Sequence, residues 1–218
     1  VIRHELELFL NETNTSSTLG FGYIHPYLTN NNFQSKISTL SVPSANSKIK
    51  FLKEGYNSSI ETDEKAFPFN DLQFDTVILS HWLEFSDRLD IVISEIWRVL
   101  KGQGKIFLVV PNSFSFWGIQ KTTPFGNCRS FSKNQIKELL LSNGFEEIKL
   151  NFCMYFPPSN NKLILNNYKI IEYLGKIIFK NFGGVMLIEA TKFNYAIPKN
   201  KLKAYKYKLP KVSIHQQI

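Results

Sequence analysis

Cysteine is scarce in this chain, and acid is missing from long stretches of it. Cys128 and Cys153 are the two cysteines among 218 residues, and they form no CxxC pair. His4, His25, His81 and His215 are widely scattered. That spacing excludes a structural zinc site of the familiar kinds. Two cysteines cannot build a disulfide framework, so a reducing cytoplasm is the expected setting. No apolar run approaches the roughly 20 residues that a membrane-spanning helix needs. The opening Val1-Ile2-Arg3-His4-Glu5-Leu6-Glu7 is interrupted by charge and does not read as a signal peptide.

The formal charge of +8, with 26 Lys and Arg against 18 Asp and Glu, invites a nucleic-acid or anionic-surface reading. Its distribution redirects that reading. Residues 199–218 hold Lys199, Lys201, Lys203, Lys206, Lys208 and Lys211 and no acid. Taking those six away leaves 20 basic residues against the same 18 acids, a body near +2. The chain therefore divides into a nearly neutral domain, 1–198, and a basic C-terminal tail, 199–218. Lysine and tyrosine alternate in that tail (Lys203, Tyr205, Lys206, Tyr207, Lys208), a pattern that suits phosphate contacts and base stacking, or an anionic membrane surface, or simply solvation. Hydrophobic residues at 43% are enough for a full globular core at this length.

Helical and strand patterns alternate along the domain. Residues 1–10 carry apolar positions on one helical face. Residues 11–17 are polar, and 18–23 (TLGFGY) read as a glycine-punctuated turn. Residues 36–42 (KISTLSV) alternate like a strand, with 48–52 and 59–62 as weaker strands. Residues 74–80 (FDTVILS) and 105–110 (KIFLVV) are nearly continuously apolar, as strands buried on both faces should be. Between them, 88–100 form an amphipathic helix with Gly102 as its terminator. Ser132 and Gln135 form a capping box for a helix over 132–143, closed by Gly144. Residues 147–155 and 185–192 are late strands, with a helix over 163–179 between them. Such alternation predicts a doubly wound α/β sheet with right-handed crossovers. Ligands in such sheets bind beyond the carboxyl ends of the strands.

The most specific stretch is 67–118. It reads Phe67-Pro68-Phe69-Asn70-Asp71, then Phe74-Asp75, then a strand ending at Ser80-His81-Trp82, then a helix ending Arg98-Val99-Leu100, then Gly102-Gln103-Gly104 into the next strand. With Asp63 ahead of it, this ordered run resembles the class I S-adenosylmethionine-dependent methyltransferases, and within them the type 11 subgroup. Thr123-Pro124-Phe125-Gly126 and Gly183-Gly184-Val185 extend the resemblance, which covers most of 18–197. It implies a mostly parallel, seven-stranded sheet whose last strand, 185–192, is antiparallel. It also implies S-adenosylmethionine as cofactor, transferring methyl to an acceptor, for which a small molecule is favoured over a nucleic acid.

Site residues follow from the same resemblance. Gly20-Phe21-Gly22 takes the place of the cofactor loop, so Gly20, Gly22 and Tyr23 would lie against the cofactor, because glycine admits a close backbone approach. The family's acid before this loop and its third glycine are replaced by Thr18 and Ile24. Asp63, with Glu64 as the alternative, would accept from the adenine amino group, and Phe67 would lie against the adenine ring. The ribose-binding acid at the end of the second strand has no counterpart, since no Asp or Glu occurs between Glu12 and Glu54. Ser80 would border the cofactor. His81 would serve as general base or orient a loop. Asn112 and Trp117 are candidates for the acceptor side, and 154–161, with Pro157-Pro158, for a lid or specificity loop.

Overall fold

The structure is a computed structural model. It describes residues 1–12, 16–24, 27, 39–43, 59–62, 66–121, 123–159 and 162–193. Within these, 39–43 and 59–62 are described as backbone. Among the described residues seven strands form one sheet: β1 Thr18–Gly22, β2 Thr39–Pro43, β3 Ser59–Thr62, β4 Phe74–Ser80, β5 Leu100–Pro111, β6 Phe145–Cys153 and β7 Val185–Lys192. The order is β3-β2-β1-β4-β5-β7-β6. The first five strands pair in parallel, and β7 runs antiparallel to both β5 and β6, as expected for the last strand.

Strand alternation explains the continuous apolar runs. Val77 and Leu79 of β4, Ile106, Leu108 and Val110 of β5, and Met186 and Ile188 of β7 face one core. Ile78, Phe107, Val109, Val185 and Leu187 face the other. Helices cover both faces. On the first side lie α2 (Leu89–Val99) and α4 (Lys133–Ser142), and on the second α1 (Ile2–Glu12), through Leu6, Phe9 and Leu10. Each such fully buried aliphatic or Phe side chain is worth roughly 1.5–3 kcal/mol of transfer free energy.

Helix ends behave as their residues dictate. Ser132 Oγ accepts from the Gln135 amide at 3.3 Å, and the Gln135 side chain accepts from the Ser132 amide at 2.8 Å. The capping box of α4 is therefore complete. Gly144, with φ +81°, closes the same helix. At α2 a lysine from the far end of the chain does the capping. Lys192 Nζ donates to the carbonyls of Trp97 and Leu100, both at 2.6 Å, and lies 3.8 Å from the Trp97 ring centroid. Burial pulls its pKa below the ordinary lysine value.

Several sequence readings change. Residues 18–22 are a strand, not a turn: β1 is hydrogen-bonded in parallel to β2 on one side and β4 on the other, and two-sided pairing overrides the low strand preference of Gly20 and Gly22. Helix α2 stops at Val99, one residue short, because Leu100 already pairs with Phe74 as the first residue of β5. Gly102-Gln103-Gly104 then absorbs a register shift inside β5, with Gln103 at φ +61°. Strand β6 starts and ends two residues earlier than 147–155. The helix over 163–179 divides into α5 (Lys162–Asn166) and α6 (Tyr168–Ile178) at Asn167. The strand over 36–42 is observed as Thr39–Pro43, its first three residues lying outside the described ones, as does all of 48–52. The short helix α3 (Phe116–Ile119) and a 3₁₀ turn, Pro124–Gly126, follow β5.

Candidate active site

The carboxyl ends of β1, β4 and β5 form the rim that the sheet topology selects for ligands. β1 delivers Gly22 there. Its φ is +81°, and a Cβ at this position would run into the Ser80 carbonyl oxygen. Glycine is thus required twice, by the backbone and by the closeness of β4. The Tyr23 amide donates to that same Ser80 carbonyl at 2.7 Å, and Tyr23 points its side chain to solvent. Gly20 lies two residues deeper, paired with Leu40 and Ile78 inside the strand, so Gly22 is the glycine that makes the turn. Thr18 and Ile24, which replace the family's acid and third glycine, are both fully buried.

Phe67 is 4% exposed, and its ring sits 4.7 Å from that of Phe21. Phe21 in turn lies 3.9 Å from Trp82. The three rings form a closed packing unit of the core, which leaves little of the Phe67 face for an adenine. Asp63 and Glu64 lie outside the described residues. The turn that follows them is held by α2. Arg98 donates to the Phe67 carbonyl at 3.0 Å, to the Phe69 carbonyl at 2.8 Å and to Asp71 at 2.6 Å, while Glu95 accepts from the Phe67 amide at 2.9 Å and from Arg98 at 2.8 Å. The Arg98 guanidinium, ahead of the opposing effect of burial, holds the Glu95 carboxyl below the usual carboxylate range. The motif's arginine is therefore a clamp on the turn entering β4.

β4 delivers Ser80 and His81. The His81 amide continues the sheet by donating to Val109 at 3.0 Å, and the residue then turns out with φ +50°. Its Nδ1 lies 2.8 Å from Glu84 Oε1. The Glu84 side chain is 2% exposed, and its Oε2 is buried with no partner among the described residues. The His81 ring stacks on Phe125 at 5.6 Å and 15°. Cys128 is close enough for burial and the Glu84 charge to push its thiol up to about 11, so it is a protonated neighbour and not a thiolate. Glu84 was not singled out from sequence. The signal was available: an acid three residues after a strand-terminal histidine, in a turn that lets the two side chains meet.

Nearby, α1 and the start of α6 border an open cavity of about 550 Å³ lined by Ile2, Arg3, Glu7, Tyr27, Met154, Phe156 and Tyr168 among others. Tyr27 joins the two features, because Ser80 and Glu84 are among the groups that act on its phenol. Burial first, then neighbouring negative charge, holds that phenol well above the usual tyrosine range, so it stays a neutral donor. Asn112 and Trp117 are held by structural bonds. The Asn112 amide donates to the carbonyls of Asn181 at 2.9 Å and Gly183 at 2.8 Å, and Trp117 Nε1 donates to Phe156 at 2.7 Å. No cluster of His, Cys, Asp and Glu suited to a metal ion occurs among the described residues.

Comparison with known proteins shows what this chain is similar to. Residues 18–108, from β1 to the middle of β5, match the family described as "Methyltransferase domain". That stretch of the chain is similar to methyltransferase domains. An uncharacterised protein of Methanocaldococcus jannaschii is 36% identical over 136 residues, covering 57% of this chain and 57% of that one. The chain spans about half the length of the two curated relatives it matches. Among solved structures, a SAM-dependent methyltransferase of Thermotoga maritima aligns with a TM-score of 0.61 at 18% identity, over 88% of this chain and 91% of that one. The YcgJ protein of Bacillus subtilis aligns with a TM-score of 0.63 at 14% identity, over 88% and 99%. At these identities the structural likeness is one of fold. No helix among the described residues is long and apolar enough to cross a membrane.

Proposed function

We propose that the domain transfers a methyl group from S-adenosylmethionine to a small acceptor held in the cavity between α1 and α6. The observation that carries the reading is the buried His81–Glu84 pair at the carboxyl end of β4, with one Glu84 oxygen left without a partner among the described residues. A buried, unpaired carboxylate oxygen suits a cationic ligand group such as a sulfonium or a protonated amine. The rim thus fits the cofactor's charged end. Gly22, the Tyr23 backbone and Ser80 would border it, with Asp63 and Glu64 as the sequence candidates for the adenine amino group. The cofactor's sulfonium would supply an electrophilic methyl, which needs alignment of the acceptor more than acid–base help.

Within that frame the protein's own groups have assignable roles. Glu84 fixes the imidazole with Nδ1–H toward Oε1, which leaves Nε2 as an acceptor. His81 Nε2 would take the proton that an amine or hydroxyl nucleophile loses. Tyr27 would orient the acceptor through its neutral phenol. The cavity volume is of the size that small-molecule sites have, and the body's charge near +2 gives no reason to prefer a nucleic acid. An RNA acceptor would draw on the tail, 199–218, which lies outside the described residues. A cytoplasmic setting agrees with the two free cysteines, Cys128 and Cys153.

A second reading, a partner-binding domain without catalysis, is favoured by the closed Phe21–Phe67–Trp82 unit and by the missing ribose acid. Titration calorimetry with S-adenosylmethionine and S-adenosylhomocysteine separates the two. Binding in the micromolar range is expected for the enzyme. Absence of heat for both ligands up to about 1 mM, an affinity weaker than about −4 kcal/mol, would select the non-catalytic reading.

A further inference from the structure

Helix α6 is docked on the domain by the face least suited to burial. Glu172 accepts from the amides of Met154 and Tyr155, both at 2.7 Å, and Gly175 is so close to Tyr155 that a Cβ there would collide with the tyrosine side chain. The apolar residues face the other way. Ile170, Tyr173, Leu174 and Ile177, spaced i, i+3, i+4, i+7, are between 48% and 67% exposed, and Ile178, Phe179 and Phe182 continue the patch. A contiguous patch of this kind on a folded surface marks an interaction site. Its charge is one-sided. Lys162, Lys169, Lys176 and Lys180 are exposed along 162–183, and Glu172, the one acid of that segment, is turned inward. Lys169 and Lys176 fall on the flank between the apolar stripe and the docked face, and Lys176 reaches Glu5 at a loose 3.7 Å. Apolar and aromatic side chains outward, with lysines along the border, is the arrangement of a helix lying in a lipid interface. The stripe enters the acyl boundary, and the ammonium groups meet anionic headgroups.

We propose that α6 and the Phe179–Phe182 corner form a docking surface for an anionic phospholipid membrane. Tyr168, the first residue of α6, also lines the cavity between α1 and α6, so docking would bring that cavity to the lipid interface. The inference does not depend on methyl transfer and is tested without cofactor or acceptor. The full chain is sedimented with vesicles of phosphatidylcholine alone and of phosphatidylcholine with about 30 mol % phosphatidylglycerol. Binding to the anionic vesicles only, weakened several-fold at about 0.5 M NaCl, is expected. The variant I170S/I177S should bind at least about ten-fold more weakly, with an unchanged circular-dichroism spectrum, since both side chains are exposed. Replacing the six tail lysines by glutamine should leave the dependence on Ile170 and Ile177 intact. No binding to anionic vesicles by the unmodified chain overturns the proposal. So does equal binding by I170S/I177S, or loss of binding in the tail variant alone, which would assign the membrane contact to 199–218. A chain that is dimeric by light scattering, becomes monomeric in I170S/I177S and ignores vesicles would assign the patch to a second copy, and likewise overturns it.

Discussion

His81 Nδ1 and Glu84 Oε1 stand 2.8 Å apart at the carboxyl end of β4, in a pocket where the carboxylate is 2% exposed. The pair is created by the positive φ of His81, which turns the chain so that residues three apart meet outside any helix. If it orients a general base, His81→Ala should lower kcat by about 10²-fold or more. Glu84→Gln keeps the shape but removes the charge, and should lower kcat by about ten-fold. His81→Ala should bind S-adenosylmethionine within about three-fold of the unmodified protein by calorimetry, whereas Glu84→Gln, without the carboxylate that suits the sulfonium, should bind it more weakly. Formation of S-adenosylhomocysteine at an unchanged rate in both variants would leave the pair with a purely structural role.

Gly22→Ala tests the turn between β1 and the rim. The new Cβ meets both an unfavourable φ and the Ser80 carbonyl. A cost of about 1–3 kcal/mol is expected from the backbone alone, with more from the displacement of β1 from β4. Thermal unfolding should move down by several degrees, and cofactor affinity should fall with it. A variant as stable as the parent would mean that the turn relaxes without help from glycine.

The sheet was legible in the sequence wherever burial on both faces wrote itself as a nearly continuous apolar run, as in β4 and the second half of β5. β1 was not. Its pairing with two neighbours, and not its composition, makes TLGFG a strand. Helix α4 announced itself through Ser132, Gln135 and Gly144, because capping chemistry is local. The break between α5 and α6 at Asn167 carries no glycine or proline and was invisible for the same reason. At the site, His81 was findable because it ends a buried strand. Glu84 was not, because its value lies in a turn geometry that only coordinates reveal. Arg98 stood out as part of a family pattern, and the structure supplies its physical reason: one guanidinium holds two carbonyls and two carboxylates at the entrance to β4.

That clamp gives stability a pH dependence with a definite sign. Glu95 is held below its ordinary value of 4.5 in the folded state by Arg98. A depressed folded pKa stabilises above the unfolded value and is lost as pH falls through the folded one. Resistance to denaturant should therefore fall as pH drops below about 4.5. Glu95→Gln should be less stable than the parent at pH 7 by about 2 kcal/mol, for charge-assisted bonds lost with the turn's amide left poorly paired. Below pH 4 the difference should shrink. A gap that stays constant across the scan would show that the Glu95 charge contributes nothing.

Phe67 discriminates between packing and cofactor contact. Its ring is covered by Phe21 at 4.7 Å, and its amide is held by Glu95. Substitution by leucine removes ring area from a closed aromatic unit and should cost about 1–3 kcal/mol of stability, while alanine should cost about 3–5. If packing is the whole role, Phe67→Leu binds S-adenosylmethionine within about two-fold of the parent at a temperature where both are folded, because the leucine still supports Phe21 and Trp82. An adenine stacked on Phe67 would instead lose its flat partner, and affinity would fall by about ten-fold, in line with the worth of an aromatic contact. Measuring both quantities on the one variant matters, since a drop in affinity that tracks lost stability reports unfolding, while a drop at full stability reports the ring itself.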